Sequence, residues 1–104
     1  MIRMTEQEQN ALTKMPGRLV RTLVYLYGIA LTEQGHLETR TAWVAQDLGC
    51  GHQSAYRKLR ELRAMGLITR TARSYDVHMD PETFENVAYT HQINRDAVKE
   101  VGRG

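Results

Sequence analysis

The sequence predicts a mainly helical α+β domain with one small β-hairpin. Apolar residues recur at helical spacing through two segments, Leu19 to Leu31 and Ala55 to Leu62. Two short runs with strand character, Leu67–Thr71 and Tyr75–Met79, flank the turn-like Ala72-Arg73-Ser74. Pro16-Gly17, Gly35, Gly49 and Gly66 punctuate the chain between these segments, where helices stop or start.

Each element follows from its residues. Thr5-Glu6-Gln7-Glu8 has the spacing of a capping box, in which Thr5 and Glu8 satisfy each other's amides. A short helix follows, with Ala11, Leu12 and Met15 on one side, and Pro16-Gly17 interrupts it. The second helix is expected from about Arg18 to about Glu33. Its apolar face is Leu19, Val20, Leu23, Val24, Tyr27, Ala30 and Leu31, widened by Leu26 and Ile29, which marks a central core helix. Gly35 ends it, and His36-Leu37-Glu38 makes one short strand. Thr39 or Thr41 caps a third helix ending near Leu48, with Val44, Ala45 and Leu48 inward and Gly49 as a C-cap or tight turn. The fourth helix runs from about Gln53 to Met65, with Gly51 as a weak N-cap, Ala55, Leu59 and Leu62 inward, and Gly66 as its stop. After the hairpin, Asp80-Pro81 opens a helix carrying Phe84, Val87 and Ala88. Asn94 caps a last short helix with Ala97, Val98 and Val101, ended by Gly102.

Composition removes several classes of function. A chain of 104 residues with 41% hydrophobic and 25% charged side chains fits one globular domain and is not disordered. The longest apolar run, Leu23 to Leu31, falls far short of the roughly 20 residues a membrane span needs. That run also starts too late and lacks the small-residue cleavage site of a secretory signal, so a cytoplasmic protein without membrane contact is expected. One cysteine, Cys50, excludes an internal disulfide and a multi-cysteine zinc site; Cys50, His52, His36 and His78 lack a chelating pattern, so no metal is expected. No nucleophile–base motif, phosphate loop or H-E-x-x-H is present, which argues against an enzyme and against a cofactor.

Charge is distributed unevenly. Between His52 and Tyr75 stand Arg57, Lys58, Arg60, Arg63, Arg70 and Arg73 against one acid, Glu61. The rest of the chain is mildly acidic, including the run Asp76, Asp80, Glu82 and Glu85. An Arg57–Glu61 pair one turn apart is the ordinary structural use of such a helix, but one acid does not neutralise six bases. A local basic block of this kind suits a polyanion.

The stretch from Thr39 to Met79 carries a recurrent pattern: Val44-Ala45-Gln46-Asp47-Leu48-Gly49, then Ala55, Leu59, Leu62, and Gly66-Leu67-Ile68. It resembles winged helix-turn-helix DNA-binding domains, among them small MarR/ArsR-like regulators. The resemblance implies a single domain over 1–104, with a helix-turn-helix at about 39–65, a wing at about 67–79 and a helical tail at about 81–101. It also implies that the Gln53–Met65 helix enters the major groove of double-stranded DNA. Its outward side is then Gln53, Tyr56, Arg57, Arg60, Arg63 and Ala64. Gln53 suits adenine and Arg57 suits guanine; His52, Ser54 and Tyr56 suit phosphate or base edges; Arg60 suits phosphate. Arg70 and Arg73 are expected on or beside the wing, against the backbone or a narrow minor groove. Departures from the family pattern are Cys50-Gly51-His52-Gln53 where Ser or Thr usually opens the helix, and Ala55 where a branched residue is usual.

The leading expectation is a homodimeric transcriptional regulator. Leu12, Met15, Ile93, Val98 and Val101 look short of partners in so small a monomer, and association uses such surface. Arg18 to Leu31 with Thr39 to Ala45 is similar, too, to the winged-helix domains of phage and plasmid replication initiators and of plasmid-partition adaptors. A winged-helix protein–protein interaction module is a third possibility, opposed by the basic block. Trp43, Tyr25 and Tyr27 are expected to be packing residues, and Cys50 a small buried residue in the turn.

Overall fold

The capping box forms as its spacing predicts. The Thr5 hydroxyl accepts from the Glu8 amide at 3.2 Å, and the Glu8 carboxylate accepts from the Thr5 amide at 3.0 Å. It opens α1 (Glu6–Leu12), the first element of a computed structural model that describes residues 1–75 and 87–103, with side chains at 1–71 and 90–103. Then follow α2 (Gly17–Ile29), β1 (His36–Thr39), α3 (Thr41–Leu48), α4 (His52–Ala64), β2 (Ile68–Tyr75), β3 (Val87–Ile93) and α5 (Arg95–Gly102). The fold is α+β: helices around a three-stranded antiparallel sheet of order β1-β3-β2. The predicted helix start at Asp80-Pro81, with Phe84, and the residues Asp76, His78, Met79, Glu82 and Glu85 lie outside the described residues.

α2 stops at Ile29 rather than near Glu33 because its last carbonyls are taken from outside the helix. The Met1 ammonium donates to the Ala30 carbonyl at 2.7 Å, and the Ile2 amide donates to the Tyr27 carbonyl at 3.2 Å. The Leu31 amide then donates to the His36 carbonyl at 2.7 Å, which turns the chain into β1. The buried face of α2 is Leu19, Thr22, Leu23, Leu26 and Tyr27, whereas Val24 and Leu31, expected inward, are exposed. Each fully buried leucine contributes about 1.5–3 kcal/mol, and Leu19, Leu23 and Leu26 tie α2 into the same core as Val44, Leu59 and Leu62.

The hairpin is longer than the sequence suggests and pairs different residues. Ala72-Arg73-Ser74 is not a turn: it continues β2, and Arg73 sits opposite Tyr89. β2 pairs with Val87–Ile93, so Val87 and Ala88, expected in a helix, belong to a strand; Tyr75, expected to open the second strand, ends β2, and the rest of that expected strand, 76–79, lies outside the described residues. β3 is central. It receives β1 on one side, with Leu37 opposite His91, and β2 on the other, with Ile68 opposite Ile93. Two rows of ladder bonds favour the extended state for Val87–Ile93 over the helical one. A bulge at Thr71, between the Arg70–His91 and Ala72–Thr90 pairs, lets β2 continue in register, and the Thr71 hydroxyl donates to the Thr90 carbonyl at 2.9 Å.

Asn94 caps α5 as predicted, its side chain accepting from the Ala97 amide at 3.1 Å. Gly102 does more than end the helix. A Cβ there would stand 1.9 Å from the Gln7 carbonyl oxygen, so only glycine permits the approach of α5 to α1. The Asn10 side chain fastens that crossing by donating to the Gly102 carbonyl. This packing overturns the premise of the dimer expectation. Met15, Ile93 and Val98 are buried inside one chain, and Leu12 and Val101 pack partly against the same core. No helix among the described residues is long and apolar enough to cross a membrane.

Candidate nucleic-acid interface

α3 and α4 form a helical pair across a three-residue turn, Gly49 to Gly51. Gly49 has φ +66°, the left-handed conformation that closes α3, and the Cys50 amide donates back to the Ala45 carbonyl at 3.0 Å. Gly51 is extended and serves as the N-cap of α4 without a side-chain bond, as its lack of a side chain dictates. Neither Thr39 nor Thr41 caps α3. Arg40 occupies that position, Thr39 is buried in β1, and Thr41 is the first helical residue. Ala45 and Ala55 are both buried, and small side chains there let the helices approach closely. The Tyr25 hydroxyl donates to Asp47 at 2.5 Å, which fastens α3 to α2; burial and then the Asp47 carboxylate push the phenol up to about 12.

The face of α4 follows the sequence period. Ala55, Leu59 and Leu62 point inward and are buried. His52, Gln53, Tyr56, Arg57, Arg60 and Ala64 are exposed, while Ser54, Lys58 and Arg63 are half-buried. Tyr56 keeps 47% of its surface in solvent, beside Arg57. The first turn of α4 carries no acid, so the positive end of the helix is not offset there. Arg70 is exposed on β2 and stands opposite His91; Arg73 lies further along the same strand. The structure therefore brings His52, Gln53, Tyr56, Arg57 and Arg60 onto one helix and places Arg70 on the separate hairpin.

The Arg57–Glu61 pair that would be the ordinary use of such a helix does not form. Glu61 is held instead by Arg18 of α2, whose Nε and terminal nitrogen lie 3.2 and 2.9 Å from the same carboxylate oxygen. Arg57, Lys58 and Arg60 make no ion pair among the described residues. Trp43, expected in packing, is 43% exposed, with the Arg40 guanidinium 4.5 Å from its ring centre. Cys50 is half-buried against the core. Among the described residues, no three of His, Cys, Asp and Glu gather where a metal ion could sit.

A second ionic cluster, on α1, α2 and α5, joins residues far apart in the sequence. Glu8 is fully buried. Arg95 donates to both its oxygens, at 2.7 and 2.9 Å, the Tyr27 hydroxyl donates to one, and the Thr5 amide to the other. Burial alone would raise this carboxyl. The hydrogen bonds from Arg95, Tyr27 and Thr5 outweigh it and bring the carboxyl down to about 2. Burial and then Glu8 push the Tyr27 phenol up, and the bond to Glu8 raises Arg95. Arg95 also donates to the carbonyls of Glu33 and Arg3, at 2.9 and 3.0 Å, so it joins the N-terminal segment, α1, the end of the α2 turn and α5. One local signal was available: Glu8 stands three residues before Ala11 and four before Leu12, on the side of α1 that faces the core.

No family model, curated protein or solved structure matches the chain.

Proposed function

We propose that the chain is a winged helix-turn-helix protein that binds double-stranded DNA, with α3 and α4 as the helix-turn-helix, α4 as the recognition helix and the β2–β3 hairpin as the wing. The observation that carries this reading is the outer side of α4: Gln53, Tyr56, Arg57 and Arg60 are exposed together, and the one acid of the helix is held by Arg18. Such a side supplies the bidentate donors and amides that read base edges, with cations for phosphate. The element order, a core helix and short strand before the helical pair and a hairpin after it, supports the same reading. A role in transcription regulation is the one we assign to it.

Met15, Ile93 and Val98 are buried within one chain, so the reading is stated for DNA contact by a single chain. The test is binding of the purified protein to fragmented genomic DNA across a salt series. Recovery of discrete sites is expected, with a log–log salt slope of roughly −2 to −5 per bound chain, about one unit per phosphate contact. Affinity that stays flat from low to moderate salt overturns the reading. Where the recovered sites lie separates a regulator from a replication or partition protein, and sedimentation with the recovered duplex gives the number of chains per site.

A further inference from the structure

We infer that Arg18 is a positioning residue for the DNA-binding side of α4: by holding Glu61 it keeps Arg57, one helical turn earlier, available to the duplex. The inference rests on the DNA-binding reading and adds to it a residue outside the helical pair.

Glu61 stands four residues after Arg57 and three after Lys58, the spacings at which oppositely charged side chains meet on a helix. Left alone, its carboxylate would draw one of these bases along the helix and away from an incoming polyanion. It is also the only acid between His52 and Tyr75, so no other acid in that stretch competes for them. Arg18 removes it from that contest. Two of its nitrogens reach one Glu61 oxygen, at 3.2 and 2.9 Å. The geometry is fixed from below, because the neighbouring Leu19 is buried in the core shared with Leu59 and Leu62 on α4. The pair itself is open to water, with side-chain exposures of 59% and 40%, so its contribution to folding is small and its consequence is electrostatic. Without Arg18, Glu61 would either capture Arg57 or stand as an uncompensated negative charge near the phosphates.

The test is a double-mutant cycle on affinity for a short mixed-sequence duplex and for the sites recovered from genomic DNA. Arg18→Gln is expected to weaken binding about two- to fivefold, the scale of an exposed ion pair. It should also blunt base preference at the position that Arg57→Ala affects. Glu61→Gln alone should bind at least as tightly as the parent, and Arg18→Gln with Glu61→Gln should return to the level of Glu61→Gln. Without DNA, the Nε proton of Arg57 should exchange with water more slowly in Arg18→Gln than in the parent, which reports its capture by Glu61. An equal loss from Arg18→Gln in the Glu61→Gln background would make Arg18 itself a phosphate contact and overturn the inference, as would no loss at all. A parent protein that binds no duplex even at low salt removes the DNA-binding reading and this inference together. That outcome differs from a parent that binds while the cycle shows no coupling.

Discussion

The Glu8–Arg95 cluster and the outer side of α4 use the same side-chain chemistry to opposite ends. At Glu8 both carboxylate oxygens are occupied and shut off from water, and the guanidinium of Arg95 is spread over a carboxylate and two carbonyls. On α4, Arg57 and Arg60 stand in water without an ionic partner among the described residues, although Glu61 is within helical reach of Arg57. A buried charge left unpaired costs several kcal/mol, whereas an exposed base costs almost nothing. Stability therefore dictates the first arrangement and is indifferent to the second. The exposed bases are free to serve binding, and mutations should separate the two regions cleanly.

The largest expected effect is at the closed cluster. Glu8→Gln leaves Arg95, 18% exposed, facing a neutral amide and should destabilise the fold by about 3 kcal/mol at neutral pH, the low end for breaking a buried pair. Urea unfolding measures it. The same residue sets an acid limb. Its folded value of about 2 lies below the ordinary 4.5, so it contributes stability that is fully present above about 4.5 and lost as pH falls toward 2. On the order of 3 kcal/mol should disappear across that window in the parent, and Glu8→Gln should lack this part of the loss. DNA affinity per folded molecule should stay unchanged. A variant that keeps parental stability but loses DNA binding would place Glu8 in the wrong region.

How legible each region was in the sequence follows the reach of its interactions. The direction of α4 could be read from Ala55, Leu59 and Leu62, because a helical period is a local property. The Thr5–Glu8 capping box and the Asn94 cap were legible for the same reason, being three residues long. The partners of Glu8 and Glu61 were not. Arg95 is 87 residues from Glu8 and Arg18 is 43 from Glu61, so local spacing favoured Arg57 as the partner of Glu61. The second hairpin strand failed differently. Val87-Ala88-Tyr89-Thr90 has strand-forming residues without a clean alternation, and its conformation is decided by strands on both sides. The end of α2 was missed because the first two residues of the chain supply its closing hydrogen bonds.

A smaller effect distinguishes positions within the binding reading. Arg57 is on the exposed first half of α4 and Arg70 is on the hairpin. Arg57→Ala should cost about 1–3 kcal/mol of discrimination between a preferred site and its single-base variants, the value of one bidentate base contact. Arg70→Ala should weaken all sequences alike. Arg57→Ala should not change stability by more than about 0.5 kcal/mol. Site selection with each variant reads the difference; a parental preference returned by Arg57→Ala would reassign the reading residue to Gln53 or Tyr56.

The smallest expected effect tests whether the open charges act one by one. Arg60 lies three residues beyond Arg57 and is exposed, which sets it where the helix leaves the groove and meets backbone phosphate. A phosphate contact carries no sequence information, so Arg60→Gln should leave base preference intact. It should make the log–log salt slope shallower by about one unit, because one fewer counterion is released. At low salt the loss of affinity is largest, and it should fade as salt rises, since the lost contribution is itself the one that salt screens. Unfolding of Arg60→Gln should match the parent, because the side chain it removes holds no ion pair among the described residues. A slope equal to the parent's would remove Arg60 from the phosphate contacts. A change in base preference would move it alongside Arg57, and the reading half of α4 would then extend a turn further toward Ala64.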